Sequence, residues 1–224
     1  MKAVVPILNN NYLNYFNMYT HQKNIITAGA PLANAKGALV MLHGRGGTAQ
    51  NIISLAGEFN LEDIAIIAPQ ATNNSWYPYS FMSPVNENQP ALDSALKVIG
   101  ETVNDIIAAG IKAENIYFAG FSQGACLTLE YVARNAQQYG GVIAFTGGLI
   151  GRQLALENYK GNFNNTPVLI ATGNPDPHVP LSRVEESAAI LKDMGADVTV
   201  KVYNGRPHTI TQPEIDLANT LIFA

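Results

Sequence analysis

The chain alternates compact apolar runs with longer stretches of amphipathic spacing. Gly37 to Leu42 (GALVML) is continuously apolar, the pattern of a strand buried on both faces. Asp63 to Ala68 (DIAIIA), Gly141 to Thr146 (GVIAFT) and Pro167 to Thr172 (PVLIAT) read the same way. Asp197 to Tyr203 puts Val198, Val200 and Val202 at alternate positions, the strand period of two. One more short strand is expected at Asn24 to Ala28, within an otherwise polar and irregular opening stretch, residues 1–36. Helical spacing fills the gaps. Thr48 can cap a helix running to about Glu58, with Ile52, Ile53, Leu55 and Ala56 inward. After Pro90, the residues Leu92, Ala95, Leu96, Ile99, Val103, Ile106 and Ile107 recur at steps of three and four, and Gly110 ends the run. Further helices are expected from about Leu181 to Met194, stopped by Gly195, and from Gln212 or Pro213 onward. Strand, helix, strand with short connections predicts a mostly parallel sheet with right-handed crossovers and helices on both faces. No repeat or linker divides the chain, so one α/β domain over residues 1–224 is expected, without a separate lid domain.

Ile116 to Val132 (IYFAGFSQGACLTLEYV) organises the rest. It runs from apolar strand through Gly120-Phe121-Ser122-Gln123-Gly124 into helical spacing. In a Gly-x-Ser-x-Gly turn the strand and helix approach too closely for larger side chains, and the serine is strained outward. The helix behind it aims free N–H groups at the same spot. The pentapeptide alone is weak evidence, because a glycine-rich strand-to-helix turn would look alike. Its strand-before, helix-after context strengthens it.

Composition narrows the function classes. Charged residues are only 13% of 224 and the net charge is −4, with no lysine or arginine cluster, which argues against a nucleic-acid partner. The single cysteine, Cys126, excludes an internal disulfide framework and reads as a small buried thiol. No stretch approaches about 18 apolar residues, so stable membrane insertion is not expected. Met1-Lys2 followed by Ala3 to Leu8 faintly resembles a signal peptide, but Pro6 interrupts the run and Asn9-Asn10-Asn11 follows, so a cytoplasmic location is expected. No HExxH or Cys/His metal spacing occurs. Gly44-Arg45-Gly46-Gly47 lacks the Gly-Lys-Ser/Thr ending and the GxGxxG spacing of nucleotide loops. No metal and no cofactor are therefore expected.

Four polar features follow predicted strands: the loop His43 to Gly47, Ser122, Asp176 and His208. All four would emerge on the carboxyl edge of the sheet, where open α/β sheets bind ligands. Their order, serine then acid then histidine, suits nucleophilic catalysis. A serine hydroxyl is a poor nucleophile at neutral pH until a histidine takes its proton, and a carboxylate behind the histidine fixes the tautomer. The expected triad is Ser122, His208 and Asp176. The expected oxyanion donors are the backbone N–H groups of Gln123 and Arg45. Among the other histidines, His21 reads as a surface residue, His43 as a structural support of the oxyanion loop and His178 as a pocket-lining group. Asp193 and Asp197 fall on the opposite edge of the sheet. Asp176 could instead be a turn aspartate between Pro175 and Pro177.

Several segments together resemble the phospholipase/carboxylesterase family of α/β-hydrolases, which includes the acyl-protein thioesterases. They are Leu42-His43-Gly44-x-Gly46-Gly47, Trp76-Tyr77, Gly120-Phe121-Ser122-Gln123-Gly124-Ala125, Gly173-x-x-Asp176-x-x-Val179-Pro180, and His208. The resemblance covers roughly residues 37–210. It implies an α/β-hydrolase fold, a Ser122-Asp176-His208 triad, and hydrolysis of carboxylic esters or thioesters without metal or cofactor. Three departures are visible: Arg206-Pro207 precedes His208 where Gly is common, Arg45 stands where small apolar residues are common, and Pro78 follows Trp76-Tyr77 where Asp is common. They point to the bacterial small-ester branch rather than the lipid-deacylating one.

The expected activity is thus a carboxylesterase acting through an acyl-enzyme. Trp76, Tyr77, Phe81, Met82 and Leu149 could wall a shallow pocket for short to medium acyl chains, and the Arg45 side chain could bind an anionic substrate group. The four aromatics in the long loop at 70–90 could equally pack as a satellite core. The alternatives are a lysophospholipase or acyl-thioesterase, a dienelactone-hydrolase-like enzyme, for which cysteine is the usual nucleophile, and a non-catalytic hydrolase-fold binding protein. A small-molecule ester is the expected partner, and a homodimer is left open.

Overall fold

A computed structural model describes residues 19–224. The signal-peptide-like stretch at residues 1–8 lies outside them. Among the described residues, seven strands form one sheet: β1 (Ile25–Gly29), β2 (Gly37–Leu42), β3 (Ile64–Pro69), β4 (Ile116–Phe121), β5 (Gly141–Phe145), β6 (Pro167–Asn174) and β7 (Asp197–Asn204). Their spatial order is β1-β3-β2-β4-β5-β6-β7. β1 pairs antiparallel with β3, and every other pairing is parallel. The longer helices are α1 (Ala49–Ser54), α2 (Ala91–Ala108), α3 (Gln123–Arg134), α4 (Leu181–Asp193) and α5 (Gln212–Ile222).

Period two explains why the central strands are apolar throughout. Along β2, Ala38, Val40 and Leu42 enter one core while Leu39 and Met41 enter the other. β5 does the same with Val142 and Ala144 against Ile143 and Phe145. Helices α2, α3 and α4 supply the first core, and α1 and α5 the second. Both faces are covered, as parallel sheets require.

Where the elements depart from the expected bounds, backbone bonding decides. β6 and β7 each run past their apolar residues, because the ladder continues through Gly173↔Tyr203 and Asn174↔Asn204. α1 stops at Ser54, and Leu55–Glu58 tightens into a 3₁₀ turn. Ile52 and Ala56 are buried there, while Ile53 and Leu55 are only half-buried. On α2, Ile107 is 45% exposed, since it lies about 100° round the helix from the buried Ile106.

Strand order reverses between β2 and β4: the chain first moves outward to β3, then crosses back. The carboxyl ends of β2 and β4 therefore border a crevice, the usual ligand position in such sheets. The loop His43 to Gly47 leaves β2 there and Ser122 leaves β4 beside it.

Candidate active site

The sharp turn at Ser122 is built by close backbone approach. A Cβ on Gly124 would collide with the carbonyl oxygen of Leu42 and sit 2.6 Å from that of His43. A Cβ on Gly120 would sit 2.6 Å from the Gly124 carbonyl carbon and from Thr128 Oγ1. Ser122 has φ 53° and ψ −116°, a left-handed conformation that costs a non-glycine residue roughly 1–3 kcal/mol. Its own N–H donates to the Phe145 carbonyl at 2.9 Å, holding the turn against β5.

The strained serine faces a continuous hydrogen-bond chain. Ser122 Oγ lies 2.8 Å from His208 Nε2, and His208 Nδ1 lies 2.8 Å from Asp176 Oδ2. The other carboxylate oxygen, Asp176 Oδ1, accepts from the amides of His178 and Val179, each at 2.9 Å. Asp176 thus closes its own turn as well as holding the histidine. Burial of the Asp176 carboxylate alone would raise its pKa. The hydrogen bonds from His208, His178 and Val179 outweigh that, and the carboxyl is held below the usual range. With Asp176 ionised, the proton of His208 sits on Nδ1 and leaves Nε2 free to accept from the Ser122 hydroxyl. The rings of Phe121 and His178 flank His208 at centroid distances of 5.3 and 4.9 Å.

The loop after β2 is pressed against the serine, so that a Cβ on Gly44 would meet Ser122 Cβ at 3.5 Å. Gly46 N–H donates to the Asn74 carbonyl and Gly47 N–H to that of Gly44. The Arg45 N–H has no acceptor among the described residues. The Gln123 N–H, first in α3, lies beyond any intrahelical acceptor. Two free donors thus border the cleft beside Ser122. His43 is buried under this loop. Its Nδ1 meets the Gly44 carbonyl at 2.8 Å and its Nε2 accepts from the Ala71 N–H at 3.1 Å. Burial lowers its pKa, so it stays neutral.

The cleft at the serine has a volume of about 540 Å³. Tyr77, Phe81 and His178 line it, together with Pro78, Tyr79, Ser80, Phe121, Cys126 and Val179. Three expected wall residues lie elsewhere. Trp76 is 0% exposed: its indole N–H donates to the His43 carbonyl at 2.9 Å, and its ring lies tilted against His43, centroids 5.0 Å apart. Leu149 is fully buried, its backbone tied to Ser187 and Arg183. Met82 packs half-buried against the core. The aromatic loop therefore divides, with Trp76 packed as an anchor and Tyr77 and Phe81 bordering the cleft. Cys126 lines the same cleft at its buried base, its thiol pKa pushed up to about 12 by burial.

One further reading needs correction. His21 is not a surface residue. It is 8% exposed, with Nε2 bonded to the Trp76 carbonyl at 2.9 Å and Nδ1 accepting from the Thr72 N–H at 3.0 Å. Burial lowers its pKa, and the Trp76 contact only partly offsets this. The exposed Arg45 guanidinium binds three acceptors of the aromatic loop. It donates to Ser75 Oγ at 3.0 Å, the Pro78 carbonyl at 2.8 Å and the Tyr79 carbonyl at 2.6 Å, which clamps the cleft wall. The Gln123 side chain does the same from beneath. Its Oε1 accepts from the Trp76 N–H at 2.9 Å, and its Nε2 donates to the Tyr77 carbonyl at 2.8 Å and Ser75 Oγ at 3.3 Å. Neither tether has a sequence signature, because each spans 30 or more residues to a backbone carbonyl.

Residues 23–223 match the phospholipase/carboxylesterase family. The chain belongs to that family. A crystal structure of a phospholipase/carboxylesterase from Dyadobacter fermentans is 67% identical with a TM-score of 0.92, covering 93% of this chain and 100% of that one. Acyl-protein thioesterase 1 of Gibberella zeae is 31% identical over 58% of this chain and 57% of its own length. Acyl-protein thioesterase 1 of Saccharomyces cerevisiae is 27% identical over 88% of this chain and 96% of its own. The chain matches a little over half the length of the first of these curated relatives. The fold is the α/β-hydrolase fold. No helix among the described residues is long and apolar enough to cross a membrane.

Proposed function

We propose that this chain is a serine hydrolase of carboxylic esters with short to medium acyl chains. The reading rests on one observation, the hydrogen-bond chain from Ser122 through His208 to Asp176, both links at 2.8 Å, opening on a cleft. Ser122 Oγ attacks the ester carbonyl carbon as His208 Nε2 takes its proton. Asp176 stabilises the imidazolium that results. The carbonyl oxygen becomes an oxyanion between the N–H groups of Arg45 and Gln123, aided by the α3 N-terminus. His208 returns the proton to the departing alcohol, which leaves an acyl-serine. Water, deprotonated by His208, then attacks the acyl carbon, and the acid departs as Ser122 is regenerated.

The cleft supports the size preference. Its 540 Å³ falls in the lower half of the usual range of about 300–1,000 Å³. Pro78, Phe81 and Val179 give it apolar walls, and the buried Trp76 and Leu149 add nothing to its depth, in keeping with a shallow pocket. A thioester substrate is the second reading, favoured by the relatives named acyl-protein thioesterase, since the same oxyanion forms. Among the described residues Arg45 is the one Lys or Arg at the cleft, so a phospholipid headgroup meets no basic cluster there. A purely binding role would have no need of the complete hydrogen-bonded chain. Hydrolysis of p-nitrophenyl esters across acyl lengths tests the proposal. Turnover should peak at short to medium chains and vanish in Ser122→Ala. A kcat/KM that keeps rising into long chains would overturn the size reading, and turnover surviving in Ser122→Ala would overturn the mechanism.

A further inference from the structure

His208 has a long way to travel. It follows β7, at the edge of the sheet, while Ser122 follows β4, three strands inward. At about 4.8 Å per strand, that is roughly 14 Å. The loop after β7 must therefore fold back over the ends of β6 and β5, and loops held only at their ends are mobile. Here it is held in the middle. Gly205 N–H donates to the Asn174 carbonyl at the end of β6. A Cβ on Gly173 would sit 2.5 Å from the Arg206 carbonyl oxygen, so the returning backbone lies directly on β6.

Arg206 then supplies the side-chain fastening. It is only 7% exposed. Its Nη1 donates to the carbonyls of Pro207 and Thr209, the residues on either side of His208. Its Nη2 donates to Thr146 Oγ1 at 2.7 Å, just past the end of β5. The charge is balanced by Glu214, itself fully buried, whose Oε1 lies 3.6 Å from Nη2. That distance makes an ion pair rather than a hydrogen bond. The other Glu214 oxygen, Oε2, accepts from the N–H and hydroxyl of Thr211, capping α5 at 2.8 Å each.

The geometry points to Arg206 as a positioning residue for His208, with Thr146 as its fixed anchor and Glu214 as its counter-charge. A guanidinium suits the task because its planar fork serves three acceptors in one geometry, which an ammonium cannot do on the same stem. Burying an arginine for structure alone is a poor bargain, since apolar residues of similar volume would often be at least as stabilising. Bonds to both carbonyls that bracket the histidine give the burial a purpose. This inference rests on the proposed role of His208 as base.

The test compares wild type, Arg206→Lys and Thr146→Val. Three readouts are taken: kcat and KM on a short p-nitrophenyl ester, the folded fraction by circular dichroism, and the downfield proton resonance of the His208 Nδ1–H bond to Asp176. Misplacing a catalytic group by about 1 Å can cost about 100-fold. Arg206→Lys should lower kcat by about 10- to 100-fold with KM within about twofold, and weaken or abolish the resonance. Thr146→Val removes one anchor without changing shape, and should lower kcat by a few-fold in the same direction. A folded Arg206→Lys with wild-type kcat and an intact resonance would overturn the inference. So would a loss that disappears once activity is divided by the folded fraction. Should Arg206→Lys not fold, a wild-type kcat and resonance in Thr146→Val would overturn it instead. If wild type turns over no ester, the hydrolase reading fails, and the resonance still decides the positioning role.

Discussion

Replacing Gln123 separates the two things this residue does. Its backbone N–H borders the cleft as a free donor, while its side chain ties down the aromatic loop. Gln123→Ala keeps the first and removes the second. The Trp76 N–H then loses its acceptor in a buried setting, where the residue is 0% exposed, and the Tyr77 carbonyl keeps only Ser75 Oγ at 2.9 Å. At about 2 kcal/mol for the unsatisfied N–H and about 1 kcal/mol for the bond lost at Tyr77, the cost is about 3 kcal/mol. For a chain of this length, about 2–4 °C of Tm is lost per kcal/mol, so Tm should fall by about 6–12 °C. Gln123→Glu is the sharper control. It keeps the shape and the acceptor for Trp76, but turns the donor facing the Tyr77 carbonyl into a second acceptor. It should destabilise at least as much as alanine. Thermal unfolding by circular dichroism reads both. Kinetics well below Tm should show kcat on a short ester reduced less than tenfold, because the backbone donor remains, with KM raised as the cleft wall loosens. A Tm within about 2 °C of wild type in both variants would refute the tether, and a kcat loss beyond about 100-fold would refute the division of labour.

Other outcomes follow from the same geometry. Gly124→Ala drives a Cβ into the carbonyls of Leu42 and His43, and should lower Tm and abolish ester turnover together. Asp176→Asn retains an acceptor for the turn amides but loses the charge facing His208, so kcat should fall by about 10⁴-fold with the fold intact. The lowered Asp176 pKa gives stability that is present above its unfolded value of about 4 and is lost as pH falls through the folded value. Urea unfolding of wild type should weaken there more than that of Asp176→Asn. His21 and His43 act at higher pH. Their pKa values are lowered by burial, so below about 6.5 the unfolded chain binds protons that the folded chain does not. Tm should fall on acidification from that point, and less steeply in His21→Gln.

The sheet was legible because its strands announce themselves. Runs such as GALVML and PVLIAT can be paired on both faces only in a parallel sheet, and β2 begins and ends where its apolar run does. The juxtaposition of Ser122, Asp176 and His208 was legible because each follows a strand end, which fixes the edge they share. Glycines at 120 and 124 carried a steric meaning that the collisions at Leu42, His43 and Thr128 make explicit. What sequence did not carry is side-chain business across distance. Trp76 looked like a pocket wall because it is a loop aromatic, yet its indole N–H finds the His43 carbonyl behind the cleft. His21 looked exposed in a polar stretch, yet it bonds both Thr72 and Trp76. Arg45 and Arg206 looked like departures from a family pattern. Both donate to backbone carbonyls, which no spacing rule reveals.

The most direct test of the central claim is covalent capture. A fluorophosphonate reacts with a serine only where a base activates the hydroxyl and donors stabilise the tetrahedral adduct. Intact mass should show one adduct per chain, and peptide mapping should place it on Ser122. Ser122→Ala should stay unlabelled, and Asp176→Asn should label far more slowly. An unlabelled wild type, or an adduct that persists in Ser122→Ala, would contradict the account.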